Sequence, residues 1–164
     1  MDLARRGAED ADNRESPLNR ITGAIVSSAF RLHKDLGPGL LESVYEAILA
    51  RDLARRGFHV ERQRSSSFEY DGLPFKDAFR LDLLVEHCVV VEIKSVENVH
   101  PVHAKQVLSY LRLLRLPVGL LINFGAPYLR DGLTRLVNTR VPAPQRLCAN
   151  PSPVPIPPQG PQDL

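Results

Sequence analysis

Three ionisable residues stand on two apolar segments that follow one another in the chain. Asp82 lies in residues 79–85, and Glu92 and Lys94 lie in residues 89–94. Two neighbouring carboxylates that lack partners repel each other, and a divalent cation between them removes that repulsion. A lysine beside them supplies positive charge where a phosphate or an attacking hydroxide would gather. The chemistry that these residues could do is metal-dependent hydrolysis of a phosphate ester.

Both segments alternate as β-strands do, with an apolar face and a partly charged one. In an antiparallel hairpin, directly opposed residues point to the same face of the sheet. One register puts all seven apolar residues on one face, and its opposed pairs are Val85 with Val89, Leu83 with Val91, and Leu81 with Ile93. Asp82 then faces Glu92, with their β-carbons about 5 Å apart. Lys94 follows one step further along that face.

An alternative interpretation is that Asp82, Glu92 and Lys94 are ordinary charges on a solvated sheet face, held by a Glu–Lys pair. Residues 89–93 are apolar enough to form a central strand, in which an unpaired glutamate would be costly. The facing pattern places Asp82 opposite that glutamate by an independent argument. The hydrolytic interpretation is therefore the stronger one.

Two helices are predicted before this hairpin. Ser16 can cap a helix that begins at Pro17, keeps apolar residues at helical spacing, and stops at Gly37. A second apolar stripe begins at Leu41 and ends near Gly57. Glu42 stands near the start of that second helix.

Strands and one further helix account for the rest of the predicted core. Residues 58–60, 68–70 and 73–75 alternate with period two and indicate short, twisted strands of a meander, with a turn at Asp71 and Gly72. The later predicted elements are a helix at 103–114 after Pro101 and a strand at 118–124 that is buried on both sides. Residues 132–137 are predicted to form a last strand, with a short helix as the alternative.

Length and composition limit the architecture to one domain. The chain has 164 residues, of which 43% are hydrophobic and 24% charged, and its formal net charge is +2. Residues 1–15 are expected to be a flexible segment, 16–141 the folded domain, and 142–164 a disordered tail that is rich in proline. No apolar run reaches the roughly 18 residues of a membrane helix, and no secretory signal is visible. We expect a cytoplasmic protein without a membrane partner.

Four motifs, in order along the chain, resemble those of a known family. Asp82 followed by Glu92-Ile93-Lys94 resembles the D…ExK form of the PD-(D/E)XK signature of restriction-endonuclease-like nucleases. Residues 39–45 match the GxxExxY motif, which names a bacterial family within that superfamily. Residues 101–110 resemble its HxxQ segment and the QxxxY helix of RecB-like nucleases, and residues 120–124 resemble its closing strand. The resemblance implies an α/β fold with a restriction-endonuclease-like core, in which helices flank a mixed central β-sheet.

The resemblance also implies a metal site. Asp82, Glu92 and the backbone carbonyl of Ile93 would bind Mg²⁺ or Mn²⁺, and Glu42 would complete the metal shell or position a second ion or a water molecule. Lys94 would orient the attacking water and stabilise charge on the phosphate. For Glu42, a favourable position at a helix N-terminus is the alternative.

Other polar residues receive weaker assignments. Gln106 and Tyr110 lie four residues apart on one helical face and could hold substrate phosphate or orient Lys94, although a structural hydrogen bond would equally explain Tyr110. Tyr45 is expected in the core, with its hydroxyl free to reach the site. The pair His100 and His103 lacks the spacing of a zinc site.

The predicted function is hydrolysis of phosphodiester bonds in DNA or RNA by a metal-dependent nuclease. The alternative is a catalytically silent module that keeps the nuclease fold and binds nucleic acid or a protein partner. A domain of this size leaves little room for a separate recognition domain. Cleavage could therefore require a homo-oligomer or a protein partner.

Overall fold

A computed structural model describes residues 16–141. The elements, in chain order, are α1 (Pro17–Leu36), α2 (Glu42–Arg55), β1 (Val60–Tyr70), β2 (Leu73–Val85), β3 (Val89–Lys94), α3 (Pro101–Leu113), β4 (Val118–Asn123), a 3-10 turn (Leu129–Gly132) and β5 (Leu133–Val137). The predicted flexible segment 1–15 and the predicted tail 142–164 lie outside the described residues. Within 16–141, no helix is both long and apolar enough to cross a membrane.

The five strands form one mixed sheet in the order β1-β2-β3-β4-β5. The pair β3 and β4 is parallel and is connected through α3, whereas the other neighbouring strands are antiparallel. This is the α/β architecture that the resemblance implied. β3 and β4 are buried along almost their whole length, as expected for central strands.

Helices cover both faces of the sheet and produce two apolar cores. The larger core packs α1 and α2 against β3 and β4, through side chains such as Ile25, Leu49, Val91 and Ile122. The smaller core packs α3 against the other face, and its members include Val107, Leu111 and Val90. The sheet is therefore the middle of three layers.

The ends of α1 follow the predicted capping chemistry. The Ser16 hydroxyl accepts a hydrogen bond from the Asn19 amide at 3.2 Å, and Pro17 occupies the first helical position. Gly37 ends the helix with a φ of +68°, which glycine adopts without steric cost, and its amide donates to the His33 carbonyl at 2.9 Å.

The predicted meander is present, with its turn at Asp71 and Gly72, because β1, β2 and β3 are consecutive antiparallel neighbours. The expectation that its strands are short was wrong. β1 and β2 are long strands that pair from Val60 opposite Val85 to Tyr70 opposite Leu73. A register shift lies between Ser66 and Phe68, and φ is positive at Gln63. These irregularities interrupt the alternation of apolar residues, whereas the pairing of the strands continues past them.

The β2–β3 hairpin confirms part of the predicted register. Val85 lies opposite Val89 and Leu83 lies opposite Val91, and the ladder between the two strands ends there. The expected faces were wrong for Phe79 and Leu81, which pack in the smaller core with α3, whereas Leu83 packs in the larger one. The faces of β2 therefore exchange at the residue between Leu81 and Leu83.

That residue is Asp82, whose side chain contacts the backbone of β3. Its carboxylate Oδ2 accepts the Ile93 backbone amide at 2.8 Å. It also stands across from Gln63, whose φ of +49° departs from strand geometry. Asp82 and Glu92 consequently form no ladder pair, and β2 and β3 separate at this point.

A candidate metal centre where β2 and β3 separate

Charged side chains gather at the point where the hairpin ladder ends. Glu92 and Lys94 come from β3, and their side chains are only 8% and 16% exposed. The Lys94 Nζ donates to the Glu92 Oε1 at 2.9 Å. Asp82, from β2, is close enough that its charge raises the pKa of Glu92. The structure therefore brings together Asp82, Glu92 and Lys94, the three residues that the sequence predicted to lie near one another.

Burial and like charge both disfavour ionised carboxyl groups here. Burial is the main cause that raises the pKa of Glu92, and the Asp82 charge adds to it. The pKa of Asp82 is also raised, mainly by burial and further by the charge of Glu46, although the Ile93 amide opposes the shift. The folded chain therefore concentrates negative charge at a cost in free energy.

Lys94 is held as a cation by the same carboxylates. Burial alone would lower the pKa of Lys94, but the hydrogen bond and charge of Glu92, with the charges of Glu42 and Asp82, raise it. A charged ammonium group can stabilise developing negative charge, whereas a neutral amine would act as a base. The raised pKa keeps the Lys94 ammonium group charged.

Glu42 joins the site from the start of α2. Its Oε1 accepts the Ser95 amide at 3.3 Å, directly after the end of β3. The Ser95 hydroxyl donates to the Leu40 carbonyl at 2.6 Å, which ties the loop before α2 to the same place. A surface depression lined by Gly39, Leu40, Leu41, Glu42, Ser43 and Ser95 opens there. The Glu42 carboxylate therefore borders solvent beside the charged cluster.

Gln106 and Tyr110 approach from α3. The Gln106 side-chain amide donates to the Tyr110 hydroxyl at 2.6 Å. The Tyr110 ring stacks on Phe79 with centroids 4.2 Å apart. Burial, followed by the charge of Glu92, raises the pKa of Tyr110, so this phenol stays protonated and faces the acidic cluster. Both the expected proximity and the structural contact of Tyr110 are present.

The Tyr45 hydroxyl does not reach the site, contrary to expectation. The ring is fully buried and stacks on Phe124 with centroids 4.3 Å apart, which confirms its place in the core. The hydroxyl donates to the Gly37 carbonyl and accepts the Leu40 amide at 3.3 Å. Its hydrogen bonds therefore fix the loop that leads into α2.

Sequence reasoning missed two residues of the cluster. Glu46 is buried, and its carboxylate accepts hydrogen bonds from Arg62 at 2.9 Å and from the Gln63 side-chain amide at 2.6 Å. The same Gln63 amide donates to the Asp82 Oδ1 at 3.3 Å. Glu46 lies four residues after Glu42, one helical turn away, which was a usable signal. Gln63 offered none, because an irregular strand position placed it.

The residues present fit a divalent cation. The Glu92 Oε2 is a buried atom for which the described residues supply no hydrogen-bond partner. Buried polar atoms are normally paired, and an unpaired carboxylate oxygen next to a second acid is the donor that Mg²⁺ or Mn²⁺ would take. Asp82 and Glu92 are the side chains that could hold such an ion. Glu42 lies near them, but in residues 16–141 these three acids do not bring ligand atoms within 4.8 Å of one another.

A second group with ligand chemistry lies elsewhere, on residues that the sequence analysis did not single out. One ligand atom from each of His59, Glu61 and His87 lies within 4.8 Å of the other two. None of these residues belongs to the acidic cluster around Glu92.

Comparison with known proteins supports the resemblance at the level of the superfamily. The family description of the PD-(D/E)XK nuclease superfamily matches residues 19–136, well over half of the chain. No curated protein and no solved structure gave a match.

Proposed function

Because the chain belongs to the PD-(D/E)XK nuclease superfamily, we propose that it hydrolyses phosphodiester bonds of DNA or RNA with a divalent cation bound by Asp82 and Glu92. We further propose Mg²⁺ or Mn²⁺ as that cation and the GxxExxY proteins as the narrower family. The segment Gly39–Tyr45 supports the narrower assignment, because it supplies Glu42 to the acidic cluster.

The observation that carries the proposal is the Glu92 Oε2, which has no hydrogen-bond partner among the residues that the structure describes. A buried carboxylate with a free oxygen is unfavourable unless something compensates for its lost hydration. Lys94 satisfies only the other oxygen, and Asp82 adds a further negative charge. A cation at this position would satisfy the free oxygen and relieve the repulsion at once. An ordinary solvated pair, the alternative, would leave both oxygens open to water.

Side chains around the pair would position the substrate. A bound cation would polarise the phosphate and lower the pKa of its bound water. The Lys94 ammonium would stabilise negative charge on the attacked phosphate, and Gln106 with Tyr110 would hold a phosphate oxygen or orient Lys94. Glu42 would complete the metal shell from the solvent side. The role of the Ile93 carbonyl as a ligand stays part of this proposal.

The test is a cleavage assay on single- and double-stranded DNA and RNA, with Mg²⁺, with Mn²⁺ and with a chelator. We expect cleavage that needs the metal and that falls about a hundredfold or more in Asp82→Asn, since a metal supplies several kcal/mol of transition-state stabilisation. Asp77→Asn is the matched control, because Asp77 is an exposed carboxylate on the same strand. It should cleave like the wild type.

Two outcomes would contradict the proposal. Wild-type rates in Asp82→Asn would move the chemistry away from this site. Absence of cleavage by the wild type on every substrate would favour the silent module that binds nucleic acid or a protein partner.

A further inference from the structure

We propose that His59, Glu61 and His87 form a separate binding site for Zn²⁺. His59 directly precedes β1, Glu61 is the second residue of that strand, and His87 lies in the turn that joins β2 to β3. The three side chains are 53%, 31% and 35% exposed, so an ion from solvent can reach them. The nuclease site proposed above uses none of the three.

The distances suit a tetrahedral ion. The Glu61 Oε1 lies 3.0 Å from the His87 Nδ1 and 3.6 Å from the His59 Nε2. Zinc bonds of about 2.0–2.1 Å in a tetrahedron separate neighbouring ligand atoms by about 3.3 Å. The two measured distances lie on either side of that value. Rotation of the two imidazole rings out of their stack would complete three ligand positions.

Two hydrogen bonds hold His59 beside the turn that contains His87. The Glu86 amide donates to the His59 carbonyl at 2.9 Å, and the His59 amide donates to the Glu86 Oε1 at 2.6 Å. The His59 and His87 rings stack with centroids 4.3 Å apart, so they must turn out of the stack before both can face one ion. The backbone that carries the ligands is thus in place before any ion binds, and only the side chains reorient.

The turn that carries His87 has an unfavourable backbone conformation. Glu86 and His87 have φ of +51° and +56°, in the left-handed region that residues with side chains rarely adopt. Asparagine and glycine would occupy such a turn more easily. Residues in strained conformations often serve a binding role, and here the strained pair contains a metal-binding side chain.

The donor set selects zinc over the ion of the nuclease site. Two imidazoles and one carboxylate suit Zn²⁺, whereas Mg²⁺ prefers oxygen ligands alone. Three protein ligands leave a fourth position for water. Arg64 competes for the site, because its Nη1 donates to the same Glu61 Oε1 at 2.9 Å. Binding of the ion would displace that guanidinium group.

The test is calorimetric titration of the full chain with Zn²⁺ in an Asp82→Asn and Glu92→Gln background, which removes the acidic cluster as a second zinc site. We expect one zinc ion per chain. His87→Asn should weaken binding by about tenfold or more, because even partners of metal ligands contribute tenfold to a hundredfold. Asparagine accepts a positive φ, so this variant keeps the turn and should unfold at an unchanged or higher temperature without zinc.

Two further variants sharpen the experiment. Arg64→Gln should bind zinc more tightly, since it removes the cation that shares the Glu61 oxygen. His100→Ser replaces an exposed histidine outside the cluster and retains a capping side chain for α3, so it should bind like its parent. Equal zinc affinity in the parent and in His87→Asn, or no zinc binding by the parent, would overturn the proposal.

Discussion

Glu92 has one oxygen bonded to Lys94 and one buried oxygen without a partner in residues 16–141. The sequence indicated this residue, Asp82 and Lys94, because alternation along two strands put them on a charged face. It could not indicate Gln63, which bridges Asp82 and Glu46 only because β1 departs from strand geometry there. The alternation of residues predicts the face of a side chain in a regular strand, but it does not predict side chains at irregular strand positions.

The acidic pair should make the metal-free protein more stable as the pH falls. The folded-state pKa of Asp82 and of Glu92 is raised, so the stability they contribute is full below their ordinary values and is lost as pH rises through the raised values. Asp82→Asn removes one charge and keeps an oxygen for the Ile93 amide. We expect a higher Tm than wild type at pH 7 without metal, measured by calorimetry.

With metal bound, the wild type should become more stable than Asp82→Asn. At a free Mn²⁺ concentration of 100 times its Kd, the wild type should gain about 2.7 kcal/mol of unfolding free energy, whereas Asp82→Asn should gain little. Asp77→Asn serves as the control and should respond like the wild type. An equal rise in Tm for all three proteins would mean that the cation binds elsewhere.

Lys94→Ala should lose nuclease activity by about a hundredfold or more while it keeps its fold, because the variant lacks the ammonium that would stabilise charge on the phosphate. Lys94→Arg should recover little, since a planar guanidinium is wider and directs its donors differently. Cleavage rates, with Mn²⁺ affinity measured in parallel, check this expectation. Wild-type rates in Lys94→Ala would reduce Lys94 to a structural partner of Glu92.

At the scale of elements, strand β2 is a place where the alternation of residues does not predict which side chains share a face. The alternation in residues 79–85 predicted a single apolar face, yet Leu81 and Leu83 pack in different cores. Apolar residues on both sides of Asp82 are compatible with either face, because helices cover both faces of the sheet. At Asp82, where the faces exchange, the carboxylate accepts the Ile93 amide and the Gln63 side-chain amide. Such a tertiary hydrogen bond leaves no periodic signal.

Helix α3 lies close to the sheet because β4 carries a glycine beneath it. A β-carbon at Gly119 would come within 2.7 Å of the Val107 Cγ1 and 3.4 Å of the Leu111 Cδ1. Gly119→Ala should therefore lower the unfolding free energy by about 1–3 kcal/mol, measured by urea denaturation. It should also reduce cleavage, because α3 carries Gln106 and Tyr110.

A second substitution tests the cause. Val107→Ala makes room for the added methyl group, so the double variant should lose less stability than the sum of the two single variants. Strictly additive losses would show that Gly119 is needed for another reason.

At the scale of the whole molecule, the sheet order and the three layers agree with the architecture expected from the motifs. The ends of α1 were predicted most accurately, since Ser16, Pro17 and Gly37 act through local chemistry, whereas α3 begins at Pro101 and not at the predicted residue 103. The lengths of β1 and β2 were not predicted. The positive φ at Gln63 and the register shift between Ser66 and Phe68 break the alternation of side chains that would mark two long strands in the sequence.

The expectation for residues 142–164 also belongs to this scale, and these residues lie outside the described part of the chain. Eight of the fourteen prolines lie between residues 141 and 164, with few large apolar side chains. Burial there would not offset the entropy of ordering the chain. Removal of residues 143–164 should leave Tm and the cooperativity of thermal unfolding unchanged. A lost cooperative transition would show that this segment packs on the domain.

The bond between the Ile93 amide and the Asp82 carboxylate makes one backbone proton a reporter of the site. An amide that donates to a carboxylate resonates downfield, and protonation of the acid weakens that bond. The Ile93 amide proton should therefore shift with pH as Asp82 titrates and should respond to a cation at the same acid. A single resonance in a nitrogen-edited NMR spectrum would report the charge state of Asp82 without a substrate and without turnover.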